Sequence, residues 1–191
     1  MPFAAAGWFA ILVVVVVFGF IIVATYNDVV ALIQRIDKAW ANIDVALKQR
    51  HDELPNLVAA VRDVMGFEQA VLLEVSRLRN AYDPASPVPA QGALSAETSQ
   101  AIRSLLAVVE NYPALKSQAN VATLQAEIER LESVIADRRE LYNDQVYRYN
   151  TRIRQFPALF VAALFGWAAR DFFAATEAET AKPDVSLRAA S

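Results

Sequence analysis

The residues best equipped for chemistry sit in one stretch, "RHDELPNLV", Arg50 to Val58, which carries the only histidine of the chain. His51 stands between Arg50 and the carboxylates of Asp52 and Glu53. A histidine oriented by a carboxylate could work as a general base within hydrogen-bond reach of a substrate proton. No nucleophile accompanies it, and side chains adjacent in sequence on a turn rarely align as an acid–base pair. The competing reading is a corner between two helices. Pro55 disfavours helix at Leu54 and suits the first turn of a new one. Asp52 or Glu53 would then complement the new N-terminus, and Lys48, Arg50 and His51 the outgoing C-terminus. Every charge gains a structural job, and the corner is the stronger reading.

Elsewhere the equipment thins out. Cysteine is absent, so disulfides, thiolate nucleophiles and cysteine-based metal sites are excluded. One histidine cannot make a two-histidine zinc motif, nor the two Glu-x-x-His pairs of a di-metal site inside a helix bundle. The five glycines form no nucleotide-binding loop. A net charge of -3 lacks the basic excess of a nucleic-acid binder. We therefore expect no enzyme, no catalytic, cofactor or metal site, and no nucleic-acid partner.

Phe3 to Ala24 form an uncharged run, "FAAAGWFAILVVVVVFGFIIVA". About 20 apolar residues suffice to cross the hydrocarbon core as a helix. A cleaved signal peptide would want a basic start, a shorter apolar core and a small-residue cleavage site. The run fits a transmembrane anchor over residues 1–24 better. Arg35, Lys38, Lys48 and Arg50 follow it, which favours a cytoplasmic location for what comes next in a single-pass membrane protein. Small-xxx-small spacing in the run is limited to Ala4–Gly7, so tight anchor dimerisation is not indicated.

Beyond Thr25 the apolar residues recur at steps of three and four. Val29, Ile33, Ile36, Trp40, Ile43 and Leu47 make one helical stripe. Val58, Val61, Met65, Leu72, Val75 and Tyr82 make a second, with Glu68 and Arg79 in the intervening core register. After the loop "DPASPVPAQGALSAE", Ser95 is a plausible N-cap, with Glu97 in the first turn, for a third helix. That helix carries Ile102, Leu105, Leu106, Val109 and Tyr112 and should stop at Pro113. The longest stripe runs from Val121 through Ile128, Ile135, Arg138, Tyr142 and Tyr149 to Phe156. Four such stripes bury most simply against one another. The expected fold is all-α: a transmembrane helix continuing into an antiparallel four-helix bundle over residues 25–156. An apolar membrane-proximal segment at 157–173 and a disordered tail at 174–191 follow.

Up-and-down topology returns "FPALFVAALFGW" to the lipid surface, too short to span it. It is either a hydrophobic plug under the bundle or an interfacial element, with Phe156, Phe160, Phe165 and Trp167 at headgroup depth. The same geometry gathers Arg50, His51, Asp52, Tyr112 and Lys116 at the far tip, roughly 40 Å along the first helix, as a candidate partner surface. Antiparallel pairing sets Asp44 level with Arg138, and an arginine in core register needs a partner. Asp44 is the expected one, with Glu68 or Glu132 in reserve; otherwise the guanidinium snorkels out. Tyr142, Asn143, Tyr149 and Asn150 form either a docking stripe or, more simply, the edge of the core.

"AWANIDVALKQRHDELPNLVAAV", "ENYPALKSQANVATLQAEIERLE" and "YNDQVYRYNTRIRQFPALFVAALFGW" follow one another in the chain. In order and spacing they resemble the signature segments of the LemA family, over about residues 26–173. The tail is similar to the family's close, although Ala168 and Ala169 replace its usual basic residues and proline. The resemblance implies a membrane-anchored four-helix bundle and no established catalytic activity. One branch acts in forming magnetosome membranes, and other members are encoded near membrane proteases. The expected function is thus a non-enzymatic membrane scaffold or interaction protein whose partners are the lipid bilayer and other proteins or its own copies. The alternative is an adaptor or regulator of a membrane protease or envelope complex.

Overall fold

The apolar stripe that starts at Val29 does not stop at the histidine. Ile43, Leu47, Arg50, Leu54 and Leu57 are all buried, at steps of four, three, four and three. Accordingly, in this computed structural model, which describes residues 2–65, 69–112 and 118–173, α1 runs unbroken from Pro2 to Met65 with Pro55 inside it. An internal proline deletes one backbone hydrogen bond and costs a helix about 3 kcal/mol. Full burial of Leu54 and Leu57 contributes roughly 1.5–3 kcal/mol each, enough to carry the helix through. The expected corner at His51 is therefore not a corner.

Among the described residues four further helices follow: α2 (Gln69–Ala81), α3 (Val88–Glu110), α4 (Ala119–Arg152) and α5 (Ala158–Phe165). No strand occurs among the described residues. The turn before α3 is tighter than expected. The Asp83 carboxylate accepts from the Ala85 amide at 2.9 Å, and the Ser86 amide donates to the Asp83 carbonyl at 3.0 Å. With Pro89 in its first turn, where the missing N–H costs nothing, α3 begins seven residues before Ser95. Ser95 is thus no N-cap. Glu97, away from the helix end, accepts instead from Arg77 of α2 at 3.0 Å.

The contacts divide the chain into two compact units. One comprises the chain up to Ile43 with Asp137–Phe172; the other includes Asp44–Ala136. The second is where four helices share a core: Leu54 and Leu57 of α1, Val75 and Leu78 of α2, Ile102 and Leu105 of α3, Val121 and Ile128 of α4. In the first unit, α1 and α4 run antiparallel. Their register shows in three contacts: Arg138 with Asn42, Trp40 with Tyr142, and Arg152 with Asp28. Val29, Ile36 and Ile43 on one helix, and Tyr142, Val146 and Tyr149 on the other, with Ile153 just past its end, are buried. Glu68, Lys116 and the tail at 174–191 lie outside the described residues, as do the side chains of Val61, Met65 and Leu72.

Residues 7–24 of α1 are exposed almost throughout, although every one is uncharged and most are large and apolar. This is the one helix among the described residues long and apolar enough to cross a membrane.

Candidate functional site

In the four-helix unit, Arg50 occupies a core position and is 3 % exposed. Its guanidinium is surrounded by acceptors from two other helices. Nη1 donates to Glu132 of α4 at 2.7 Å and to the Ser99 hydroxyl of α3 at 2.8 Å. Nη2 donates to the Ser95 hydroxyl at 2.9 Å. The Ser99 hydroxyl lies 2.6 Å from the second Glu132 oxygen and 3.0 Å from the Ser95 carbonyl. It has one proton to give, and the shorter, charge-assisted contact to the carboxylate takes it. One buried cation thus ties α1, α3 and α4 together. With both terminal nitrogens engaged by protein acceptors, this arginine serves as a structural pin.

The rest of the histidine cluster has the same character. His51 is half-buried, and its ring lies 4.9 Å from that of Tyr82. Burial lowers the imidazole's proton affinity below the ordinary 6.5; Asp52 opposes this and Arg79 adds to it. Tyr82 donates to Asp44 at 3.1 Å. Its pKa is pushed up to about 12, first by burial and then by the carboxylate it donates to. The crevice shared by Arg50, His51, Tyr82 and Gln91 has about 20 Å³ of free space, room for one water. A neighbouring groove at Pro55 and Arg79 reaches about 180 Å³, short of the ~300 Å³ at which small-molecule sites begin. No group of three or more potential metal ligands occurs among the described residues.

The expected far-tip surface is therefore not assembled. Arg50 is inside, His51 faces Tyr82, Asp52 is exposed partway along α1, and Tyr112 is exposed after the end of α3. About 20 Å of α1 follows Asp52. The expected Asp44–Arg138 pair is also replaced, each residue finding a partner in its own unit. Arg138 donates to the Asn42 carbonyl, two residues earlier than anticipated, and Asp44 accepts from Tyr82. Two residues turn a helix by about 200°, which sends Asp44 to a different neighbour. Glu132, held in reserve for Arg138, serves Arg50 instead.

In the first unit the tyrosine–asparagine strip of α4 is a clamp. Tyr149 and Tyr142 are buried, and their hydroxyls donate to the carbonyls of Ala168 and Asp171 at 2.9 and 3.0 Å. Asn150 grips the backbone of Arg170 from both sides, donating to its carbonyl at 2.9 Å and accepting from its amide at 2.8 Å. Residues 168–171 are thereby strapped along α4. The strap is reached through Gly166, whose φ of 67° ends α5 in the left-handed conformation that glycine adopts freely. The amides of Gly166 and Trp167 both donate to the Ala162 carbonyl. That reversal lays Trp167 on Phe165, centroids 5.5 Å apart, and both rings against Tyr26 at 5.4 and 4.9 Å.

Of the residues expected at headgroup depth, Phe156, Phe160 and Phe165 are exposed and Trp167 is partly covered. Sequence reasoning missed two things: Arg50 as a core residue, which its step of three from Leu47 and four to Leu54 encoded, and the strap, which has no periodic signal.

A profile of the LemA family matches residues 39–187. Among curated proteins, magnetosome protein MamQ 1 and magnetosome protein MamQ 2 of Paramagnetospirillum magneticum (strain ATCC 700264 / AMB-1) are each 33% identical over 73 residues. That match covers 38% of this chain and 27% of either relative, so the chain spans about a quarter of their length.

Proposed function

Since the chain belongs to the LemA family, we propose that it is a membrane-anchored, non-enzymatic helical scaffold that associates with its own copies or recruits protein partners at a bilayer. The observation that carries this reading is the continuity of α1, whose exposed, uncharged residues 7–24 lead without a break into the buried stripe from Val29 onward. An apolar helix left bare on that scale finds its lowest free energy in hydrocarbon. The non-enzymatic part is supported by the Arg50 cluster, whose polar groups bond one another beside a crevice with room for one water. Neither the family description nor the names of the relatives states a reaction. Arg35 and Lys38, the first basic residues after the run, favour a cytoplasmic body.

Affinity capture from mild detergent of the full chain, co-expressed with a second copy bearing a different tag, tests the scaffold. The expected result is recovery of the second copy as the main bound protein. Recovery of a stoichiometric protease or envelope complex, without the second copy, would favour the adaptor reading instead.

A further inference from the structure

We propose that α5 and the rings around it form a foot that lies in the headgroup layer of the bilayer, beside the point where the anchor leaves the hydrocarbon. The inference rests on the anchor reading and adds a second, separate membrane contact. α5, "ALFVAALF", contains no polar side chain. It buries only Ala158, Val161 and Ala162, small residues that let it lie close to the rest of its unit. Its outer face shows Leu159, Phe160, Leu164 and Phe165, with Phe160 67% and Leu164 74% exposed, and Phe156 is exposed just before it. A surface helix facing water carries polar residues on its outer side; this one has none to offer.

The surroundings identify what covers that face. Phe165 and Trp167 contact Tyr26, two residues beyond the last of the uncharged run. Both lie in the same compact unit as the anchor. The C-terminal end of α5 is thus held at the level where the anchor emerges. Eight residues make a helix of about 12 Å, against a hydrocarbon core of about 30 Å, so α5 lies at the surface and does not cross. Tyrosine and tryptophan are the side chains that favour this depth, with an apolar body and a polar tip. Arg154, just ahead of α5, is exposed and has no ion pair among the described residues, whereas Arg152 and Arg170 are held by Asp28 and Asp37. A basic group at that height faces lipid phosphates. The occupant is therefore a lipid surface.

The absence of cysteine makes the test direct, since single cysteines can be introduced into the full chain and spin-labelled without background. Labels at Phe160→Cys and Leu164→Cys, with Val14→Cys in the anchor and Tyr147→Cys on exposed α4, are compared in phosphatidylcholine–phosphatidylglycerol vesicles. Collision rates with oxygen and with a water-soluble nickel chelate are read for each. The foot predicts an oxygen-to-nickel ratio at 160 and 164 several-fold above that at 147 and below that at 14. Ratios at 160 and 164 equal to that at 147, with 14 still lipid-like, would overturn the foot and leave the anchor standing. Spin–spin broadening at 160 would show a second copy on this face and overturn it too. A water-exposed label at 14 would remove the anchor, and the foot with it.

Discussion

Breaking the Arg50–Glu132 pair leaves a partly buried carboxylate beside Ser99 without its cation. Removing one partner of a buried pair is costly because the other stays behind uncompensated. Arg50→Met is expected to destabilise the four-helix unit by about 3 kcal/mol, at the low end of the usual range because Glu132 keeps some exposure. Arg50→Lys should recover only part, since an ammonium cannot present the planar fork that serves Glu132, Ser99 and Ser95 together. Thermal melts in detergent followed by circular dichroism would measure both. His51 offers a test by pH. Its folded-state pKa lies below the 6.5 of the unfolded chain, so protons bind preferentially to the unfolded state. Stability should be fully present above pH 6.5 and decline as pH falls through the interval below it, and His51→Gln should flatten that decline. The depressed carboxyls of Glu74 and Glu127 act around and below their ordinary 4.5, at the lower end of this window, and the His51→Gln comparison separates them from the imidazole. At this scale the sequence was legible in type but not in role. Arg50 stood in plain core register, yet Pro55 and the crowd of charges around His51 argued for a helix end. The decisive quantity, how much burial Leu54 and Leu57 would gain, depends on helices α2 to α4, which local patterning does not contain.

The continuity of α1 through Pro55 belongs to the scale of the element. Replacing Pro55 with alanine restores the amide that a helix directs to the His51 carbonyl and removes the ring's clash. The variant is expected to be more stable than the parent, by about 1 kcal/mol or more; a corner at this position would make the same change destabilising. The melt that serves for Arg50 reads this as well. The strap on α4 separates two side chains that touch neighbouring backbone groups. Asn150 accepts from the Arg170 amide, while Tyr149 donates to the Ala168 carbonyl. Asn150→Ala should therefore speed hydrogen exchange at the Arg170 amide strongly, and Tyr149→Phe should affect it little. Equal effects would mean that the strap loosens as one piece. Stripes at steps of three and four announced α3, α4 and the first part of α1, because periodicity is a property of the element itself; the second stripe, expected as one helix, is divided between α1 and α2. The strap and the exact register of α1 against α4 were not readable, because each depends on pairwise hydrogen bonds between distant segments. Asn42 in place of Asp44 opposite Arg138 is a shift of two residues, too small for an apolar pattern to resolve.

For the molecule as a whole, the all-helical class and an N-terminal helix long and apolar enough to cross a membrane followed from composition and length, quantities that tertiary context does not alter. The division into two units did not, because α1 and α4 contribute to both and their stripes run on without a pause. The central claim is that the uncharged run of α1 stays attached and holds the helical body to a bilayer. Alkaline carbonate extraction of membranes containing the full chain, with intact-mass analysis of the recovered protein, tests it most directly. The expected result is protein retained in the membrane pellet at the mass of the uncleaved chain. Release into the supernatant, or a mass lacking the first two dozen residues, would contradict the account.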